Sequence, residues 1–600
     1  MQLAMAAAML ATASAFPGDA YLHPTIHFAA PVQSEQGGWH DVAGAVTHRG
    51  LHHVFQGEGW NHATSPDLVH WQPAPHGPQA IQETYAGMDS LSVPCSGYVT
   101  KDDEGYVCAG FRQCDSIHGV AGKNAWDVPL EVRCATDQSA NLSSFSEDPA
   151  SPDYSFLFNV SFWRPLPYDP ARPWREESTG MFYQLLSMDA CNVTGGNVGG
   201  KTCSKGGQLV MWQSPALRGA RADWQLVGPV WTDNTTVLKD GFLSHEFVTI
   251  DMLGTMPIAP AAAPTVPTTS SGNNTFYFLN NVGGDGCCSG TTSYTVLKQP
   301  HGPGTPFQRQ DPGQQMVDWG SFTLKPAAKP KKAGARAAAV VDPLDLLTGT
   351  ASRGLSMART LGSEESDQVT KPGRRVLIGW TGPAPKGLYE GHPADSLGSA
   401  QSLSRDLFMD PLSSRLVQAF AAELQTLRAT SAPAEAVVAA GASVSNNLPM
   451  GVDAIEVVAS FPPECGTSGT TSTRSGAGES GQTAAAPCGF EVLASKDVRG
   501  AGESLSVTLD FATGLVLLNG TTMKNDAVRA GPIPAASAST KGWTVHAIVD
   551  HSIVEVIVNG DTAFVVYVAP SSKDTAGNAR VFGQAGSAMK VWKLKDANVN

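Results

Sequence analysis

WTVHAIVDHSIVEVIVNGDTAFVVYV, Trp543 to Val568, decides the fold class of this 600-residue chain. Apolar and β-branched residues alternate in it with polar ones, as in paired strands, and Asn559-Gly560 supplies the turn of a hairpin. ESLSVTLDF and LVLLNG precede it with the same pattern. Further upstream, YVCAGF near Tyr106, MFYQLLSM from Met181, TFYFLNNV from Thr275 and RRVLIGW from Arg374 are short strand-like runs separated by turn residues. Long helical periodicity is scarce, so the chain reads as all-β. No self-repeating motif marks a propeller directly.

Six hundred residues exceed one ordinary core and point to two or three domains. The spacing predicts one helix, in SSRLVQAFAAELQTLR, where Leu416, Val417, Phe420, Leu424 and Leu427 recur at helical intervals and Ser413 or Ser414 can cap. It lies in a linker, 396–430, between two strand-rich regions. The first region, 20–395, is interrupted from about 325 to 371 by an Ala/Lys/Pro/Ser stretch read as a flexible surface insertion. The second, 431–600, is interrupted at 466–487 by a Gly/Ser/Thr/Ala tract between Cys465 and Cys488, a loop that a disulfide would close at its base.

The net charge of -14 argues against nucleic acid or an anionic membrane, both of which need a basic surface. Residues 1–15 are apolar and end in Ala13-Ser14-Ala15, which reads as a signal peptide too short to span a bilayer. Ten cysteines and sequons at Asn141, Asn159, Asn192, Asn234, Asn273 and Asn519 point the same way, to a secreted or vacuolar protein. Cys108, Cys114 and Cys134, and Cys191 with Cys203, are candidates for local disulfides of undetermined connectivity. There is no CxxC pair, and no metal or other cofactor is expected.

Chemistry concentrates in GWHDVAGAVTHRGLHHVFQGEGWNHATSPDLVHW, Gly38 to Trp71. Asp41 stands beside Trp39 and His40, ahead of a strand-like run and of Trp60: a carboxylate near flat faces that can stack on a sugar. An Asp capping its own turn is the plainer reading of the same residue. Glu246, in GFLSHEFVTIDMLG, sits among Phe242, Leu243, Phe247 and Val248; an apolar wall raises a carboxyl pKa, as a general acid requires. A strand-edge Glu facing solvent is its alternative. Asp169, in FWRPLPYDPARPW, is either a gripping residue on a proline-stiffened loop or an ordinary Asp-Pro turn. Asp251 competes locally. The histidines at 40, 48, 52, 53, 62 and 70 lack metal-binding spacing and are assigned hydrogen-bonding and packing roles.

In order along the chain, these pieces resemble glycoside hydrolase family 32, the invertases and fructan hydrolases. WHDVAGA stands where the family carries WMNDPNG, HHVFQ matches the next strand, and WNHATSPDLVHW is close to WGHATSxDLVHW. Cys95-Ser96-Gly97 resembles the family's FSG step, YDPARPW its RDP motif, HEFVTIDMLG its EC motif, and VDHSIVEVIVNG its C-terminal signature. The resemblance runs from about residue 23 to 595. It implies a five-bladed β-propeller at 20–395, then the linker, then a β-sandwich at 431–600.

It also implies roles. Asp41 matches the nucleophile, Glu246 the acid/base and Asp169 the residue that holds fructose hydroxyls. Trp39, His40, Gln56, Trp60, Cys95, Ser96 and Tyr168 are the implied substrate contacts. The expected activity is retaining cleavage of sucrose or fructans, with fructosyl transfer on the same site or an inactive carbohydrate-binding protein as alternatives. All three carboxylates are present while their neighbours differ: His40 for Asn, Tyr168 for Arg and Phe247 for Cys. Arg164 is the expected substitute for the missing positive charge.

Overall fold

Five small sheets, antiparallel except where Gly254–Thr255 joins Phe408–Met409 in parallel, follow one another along the chain, and two larger ones close it. The protein is described from a computed structural model, over residues 22–29, 42–57, 60–74, 80–81, 93–114, 130–147, 170–176, 179–191, 203–218, 222–233, 242–249, 254–255, 275–283, 290–298, 306, 308–309, 315–318, 322–324, 347–349, 356–362, 374–382, 400–409, 415–451, 454–466, 487–494, 503–520, 522, 528–534, 542–570 and 577–597.

Blade one runs Val42–His48, Leu51–Gln56, Asn61–Ser65, Gln72–Pro73. Blade two runs from Val93–Lys101 to Phe145–Glu147, and blade three from Trp174–Arg175 to Gln225–Asp233. Blade four begins with Phe242–Thr249 and blade five with Ser356–Gly362. The first strand of blade one packs against the first strands of blades two and five, which closes the ring. Gly44 permits one of these approaches, because a Cβ there would lie 2.9 Å from the Val99 backbone nitrogen.

The two larger sheets form the sandwich. One is six-stranded and contains Ile455–Phe461, Trp543–Asp550, Ile553–Val558 and Thr562–Tyr567; the other is eight-stranded and contains Cys488–Ala494, Leu505–Asp510 and Leu515–Gly520. Val457, Val545, Ala547, Val549, Val556 and Phe564 meet Phe490, Val492, Val507 and Leu509 in the core between them. The chain is thus a five-bladed β-propeller followed by a β-sandwich. No α-helix occurs among the described residues.

The segment Trp543–Val568 is buried on both faces. Ile548, Ile557 and Ala563 point away from the sandwich core and pack with Phe420, Leu424, Leu403 and Val69 from the propeller side. That is why its second strand reads IVEVIV with every residue buried. The hairpin turn falls at Asn559-Gly560 as expected, both with positive φ. Gly560 also touches the propeller: its carbonyl accepts from Gln418 N at 2.7 Å, and a Cβ would collide with Val417.

Charge fills the rest of this junction. Asp550 accepts the backbone N–H groups of Thr25, Ile26 and His27 at 2.8–2.9 Å. His27 donates from Nδ1 to Asp550 at 2.8 Å and from Nε2 to Glu555 at 3.1 Å. With a carboxylate on each nitrogen, the ring carries both protons. Burial alone pushes this imidazole down, but the hydrogen bonds and charges of the two carboxylates outweigh it and raise the pKa to about 9. Arg405, fully buried, donates to Glu555 from Nε and Nη2 at 2.9 and 2.6 Å and to Gln418 from Nη1 at 2.8 Å. Burial raises both carboxyls; His27 and His551 overcome it at Asp550, and Arg405 with His27 at Glu555, so both end below the usual range.

Three sequence expectations change. Residues 416–427 are not a helix: Leu416–Phe420 is a strand paired with Arg405–Met409, and Ala422–Leu427 is a 3₁₀ turn. Leu416, Gln418 and Phe420 are buried in alternation, so the segment also satisfied a period of two. The neighbouring strand supplies backbone partners that decide between the periods. For the same reason 396–430 is not a linker: the propeller runs through its last strand to Phe420 instead of ending at 395. The stretch 325–371 is not all insertion either. Leu347–Gly349 pairs with Phe322–Leu324 at an edge of the sandwich, and Ser356–Gly362 is the first strand of blade five. The remaining residues of that stretch, and 467–486, lie outside the described residues. Disulfides join Cys108 to Cys134 and Cys465 to Cys488, the second closing the predicted loop.

Candidate active site

Each blade is a meander that starts at the axis, so the starts of the first strands gather at one end of the ring. In four blades a β-bulge sits near that start. In blade one Val42 pairs with Gln56 and Gly44 with Phe55, leaving Ala43 extra. In blade two Cys95 and Ser96 together oppose a single residue, because Pro94 pairs with Gln113 and Gly97 with Phe111. Blade four has a bulge between Phe242 and Ser244, and blade five between Ser356 and Arg359. Bulges re-aim side chains and concentrate beside active sites.

Asp41, Trp39, His40, Tyr168, Asp169, Arg164 and Asp251 lie outside the described residues. Asp41 nonetheless directly precedes Val42, and Asp169 directly precedes Pro170, at the entry to blade three. Glu246 lies in the first strand of blade four with its backbone opposite Leu279. The backbones of Cys95 and Ser96 form the bulge of blade two; their side chains, like that of Glu246, lie outside the described residues.

Gln56 is fully buried at the end of the second strand, opposite Val42. Its Nε2 donates to Gln401 Oε1 of blade five at 2.9 Å, and its Oε1 finds no donor among the described residues. The amide is thus held on its donor side and open on its acceptor side among the described residues. Trp60 is a correction. Expected to stack on sugar, it is wholly buried between blades one and two, with Phe55 and Phe111 at ring-centroid distances of 5.8 and 5.6 Å.

The histidines hydrogen-bond and pack. His53 Nδ1 meets His62 Nε2 at 2.9 Å, His62 stacks on Phe55, and His48 Nε2 donates to the Gln138 carbonyl. Among the described residues no three His, Cys, Asp or Glu side chains converge as metal ligands do. The SPDLVHW run is a turn. Asp67 accepts from Val69 N and His70 N at 3.1 and 2.8 Å, and the Leu68 carbonyl accepts from Trp71 Nε1 and from Ser404 of blade five.

The sequence reading missed Arg359. The residue is 4 % exposed, and its Nη2 donates to the Gly97 carbonyl at 3.3 Å. The bond leaps from blade five to blade two, past the first strand of blade one. No motif announced it, because it lay in a stretch read as an insertion.

Comparison with known proteins places this arrangement. Residues 423–599 match the family model described as glycosyl hydrolases family 32 C terminal. An exo-inulinase from Aspergillus awamori superposes with a TM-score of 0.62 at 16 % identity, over 96 % of this chain and 99 % of the other. A variant of fructan 1-exohydrolase IIa from Cichorium intybus, in complex with 1-kestose, gives 0.61 at 15 % identity, over 97 % and 99 %. A mutant Bombyx mori GH32 β-fructofuranosidase in complex with sucrose gives 0.56 at 14 %, over 97 % and 95 %. No curated protein matches the sequence. Residues 423–599 thus match a family 32 C-terminal domain, and the chain as a whole shares the propeller-and-sandwich fold of these solved family 32 enzymes.

Proposed function

We propose that the protein is a retaining β-fructofuranosidase acting on terminal fructosyl units of sucrose or fructans. One observation carries the reading. In chain order the motif-bearing positions accompany the first strands of four successive blades: Asp41 directly before Val42, Cys95 and Ser96 in the bulge of blade two, Asp169 shortly before Trp174–Arg175, and Glu246 within Phe242–Thr249. The sugar complexes of the similar silkworm and chicory proteins support a fructoside as substrate.

In this mechanism Asp41 attacks C2 of the fructosyl unit from one side while Glu246 gives its proton to the departing oxygen on the other. The two carboxyls of a retaining pair stand roughly 5–5.5 Å apart. A covalent fructosyl ester forms through an oxocarbenium-like transition state. Asp169 holds ring hydroxyls, and that grip tightens as positive charge develops. Glu246 then takes a proton from water, which attacks C2 and releases fructose and Asp41. A second sugar in place of water gives transfructosylation.

His40 and Tyr168 motivate a second reading, a sugar-binding protein without turnover. The experiment is fructose release from sucrose, inulin and levan by wild type, Asp41→Asn and Glu246→Gln. Turnover that survives both substitutions refutes the mechanism; sugar binding without turnover in wild type selects the second reading. Two described disulfides and the exposed sequon residues Asn141 and Asn519 support an oxidising, secretory or vacuolar destination, tested by glycosidase-sensitive mass and by localisation of a tagged chain.

A further inference from the structure

Blade five carries none of the expected carboxylates, yet it reaches two of the expected sugar-contact positions. Gln401, 1 % exposed, accepts from Gln56 of blade one; Arg359 donates to Gly97, which closes the Cys95–Ser96 bulge of blade two. Both contacts cross the end of the ring where the first strands begin. Gln401 is itself fixed, its backbone N–H bonded to the Phe28 carbonyl at 3.0 Å and its backbone bridged to Trp380.

We propose that Arg359 and Gln401 are positioning residues for the fructosyl pocket, an inference that rests on the fructosidase reading. The first strand of a blade is an edge, with backbone groups that have no further strand to pair with. A bulge there is free to shift unless something ties it. The Arg359 guanidinium supplies a directional donor to the Gly97 carbonyl and so fixes where Cys95 and Ser96 present themselves. Apolar filling of the same space avoids the desolvation cost of a buried cation, so the arginine brings direction more than stability. Gln401 does the same for Gln56: by accepting from Nε2 it leaves Oε1 as the open acceptor, suited to a sugar hydroxyl. A site held loose by 1 Å loses about 10²-fold in rate, which sets the scale of what such ties protect.

The test is steady-state kinetics on sucrose and inulin with Arg359→Met, Arg359→Lys and Gln401→Leu, beside thermal unfolding of the same preparations. Arg359→Met is expected to lower kcat/KM by roughly 10- to 100-fold, and Arg359→Lys, which keeps a charged donor, to recover most of that loss. Gln401→Leu is expected to raise KM by roughly 10-fold with kcat within about twofold. Wild-type kcat/KM per folded molecule in Arg359→Met, whatever its Tm, overturns the proposal. If Arg359→Met does not fold, Gln401→Leu decides, and an unchanged KM there overturns it. A wild type that turns over neither sugar refutes the enzymatic reading instead. Dissociation constants for sucrose and inulin then replace kinetics, with equal values in wild type and Arg359→Met again overturning the proposal.

Discussion

The starts of the first strands and the propeller–sandwich junction both bury polar side chains, and they are built on opposite rules. At the junction every charge meets its complement: His27 lies between Asp550 and Glu555, and Arg405 forks onto Glu555 and reaches Gln418. At the strand starts the ladder is interrupted by bulges, and Gln56 keeps an open acceptor. A fully satisfied buried network fixes one arrangement of the chain. Groups left unsatisfied at a convergent end are where folding rules yield to binding. The difference separates two sets of family-like motifs: VDHSIVEVIVNG builds the joint, whereas the sequence around Asp41, Cys95 and Glu246 is the one proposed for the site.

That division breaks first at the carboxylates. Asp41→Asn and Glu246→Gln are expected to cost about 10⁴-fold or more in kcat with an unchanged unfolding midpoint, measured by fructose release and calorimetry. Stability loss without activity loss would move these residues into the scaffold. The reverse outcome is expected at the joint. Glu555→Gln or Arg405→Met strips one partner from a buried pair and is expected to cost about 3–5 kcal/mol in denaturant unfolding, with KM of the folded fraction retained.

His27 sharpens the joint's half of the comparison. Its pKa in the folded protein is raised from 6.5 to about 9, so the stability it adds is complete below pH 6.5 and is lost as pH rises through about 9. The loss is about 3 kcal/mol at most, and unfolding of His27→Gln is expected to be flat across that window. Asp550 and Glu555 act with the opposite sign: lowered in the fold, they stabilise above the ordinary carboxylate range and lose that contribution in acid. The smallest effect is expected at Asp67→Ala, which removes the acceptor for two turn amides at a cost of about 1 kcal/mol, with kinetics unchanged. A large KM effect there would return the SPDLVHW run to the sugar site.

The near match of WNHATSPDLVHW to a family motif shows where sequence stops. A run of Trp, His and Asp reads as sugar-binding chemistry, because those residue types serve both stacking and packing. Burial of Trp60 and His62 and the turn hydrogen bonds of Asp67 assign it to packing. Arg359 is the opposite case: it carried no local pattern, and only the closure of the ring brings it to Gly97.

By itself, the sequence determined the strands, because a period of two and Asn559-Gly560 act over a few residues. It also determined the order of the chemical motifs. Leu416 to Leu427 satisfied two periods at once, so only the open edge of Arg405–Met409 chose strand over helix. Whether a polar side chain joins two domains, fills a blade or faces the axis depends on partners tens to hundreds of residues away. For His27, Gln56 and Arg359, the fold made that choice.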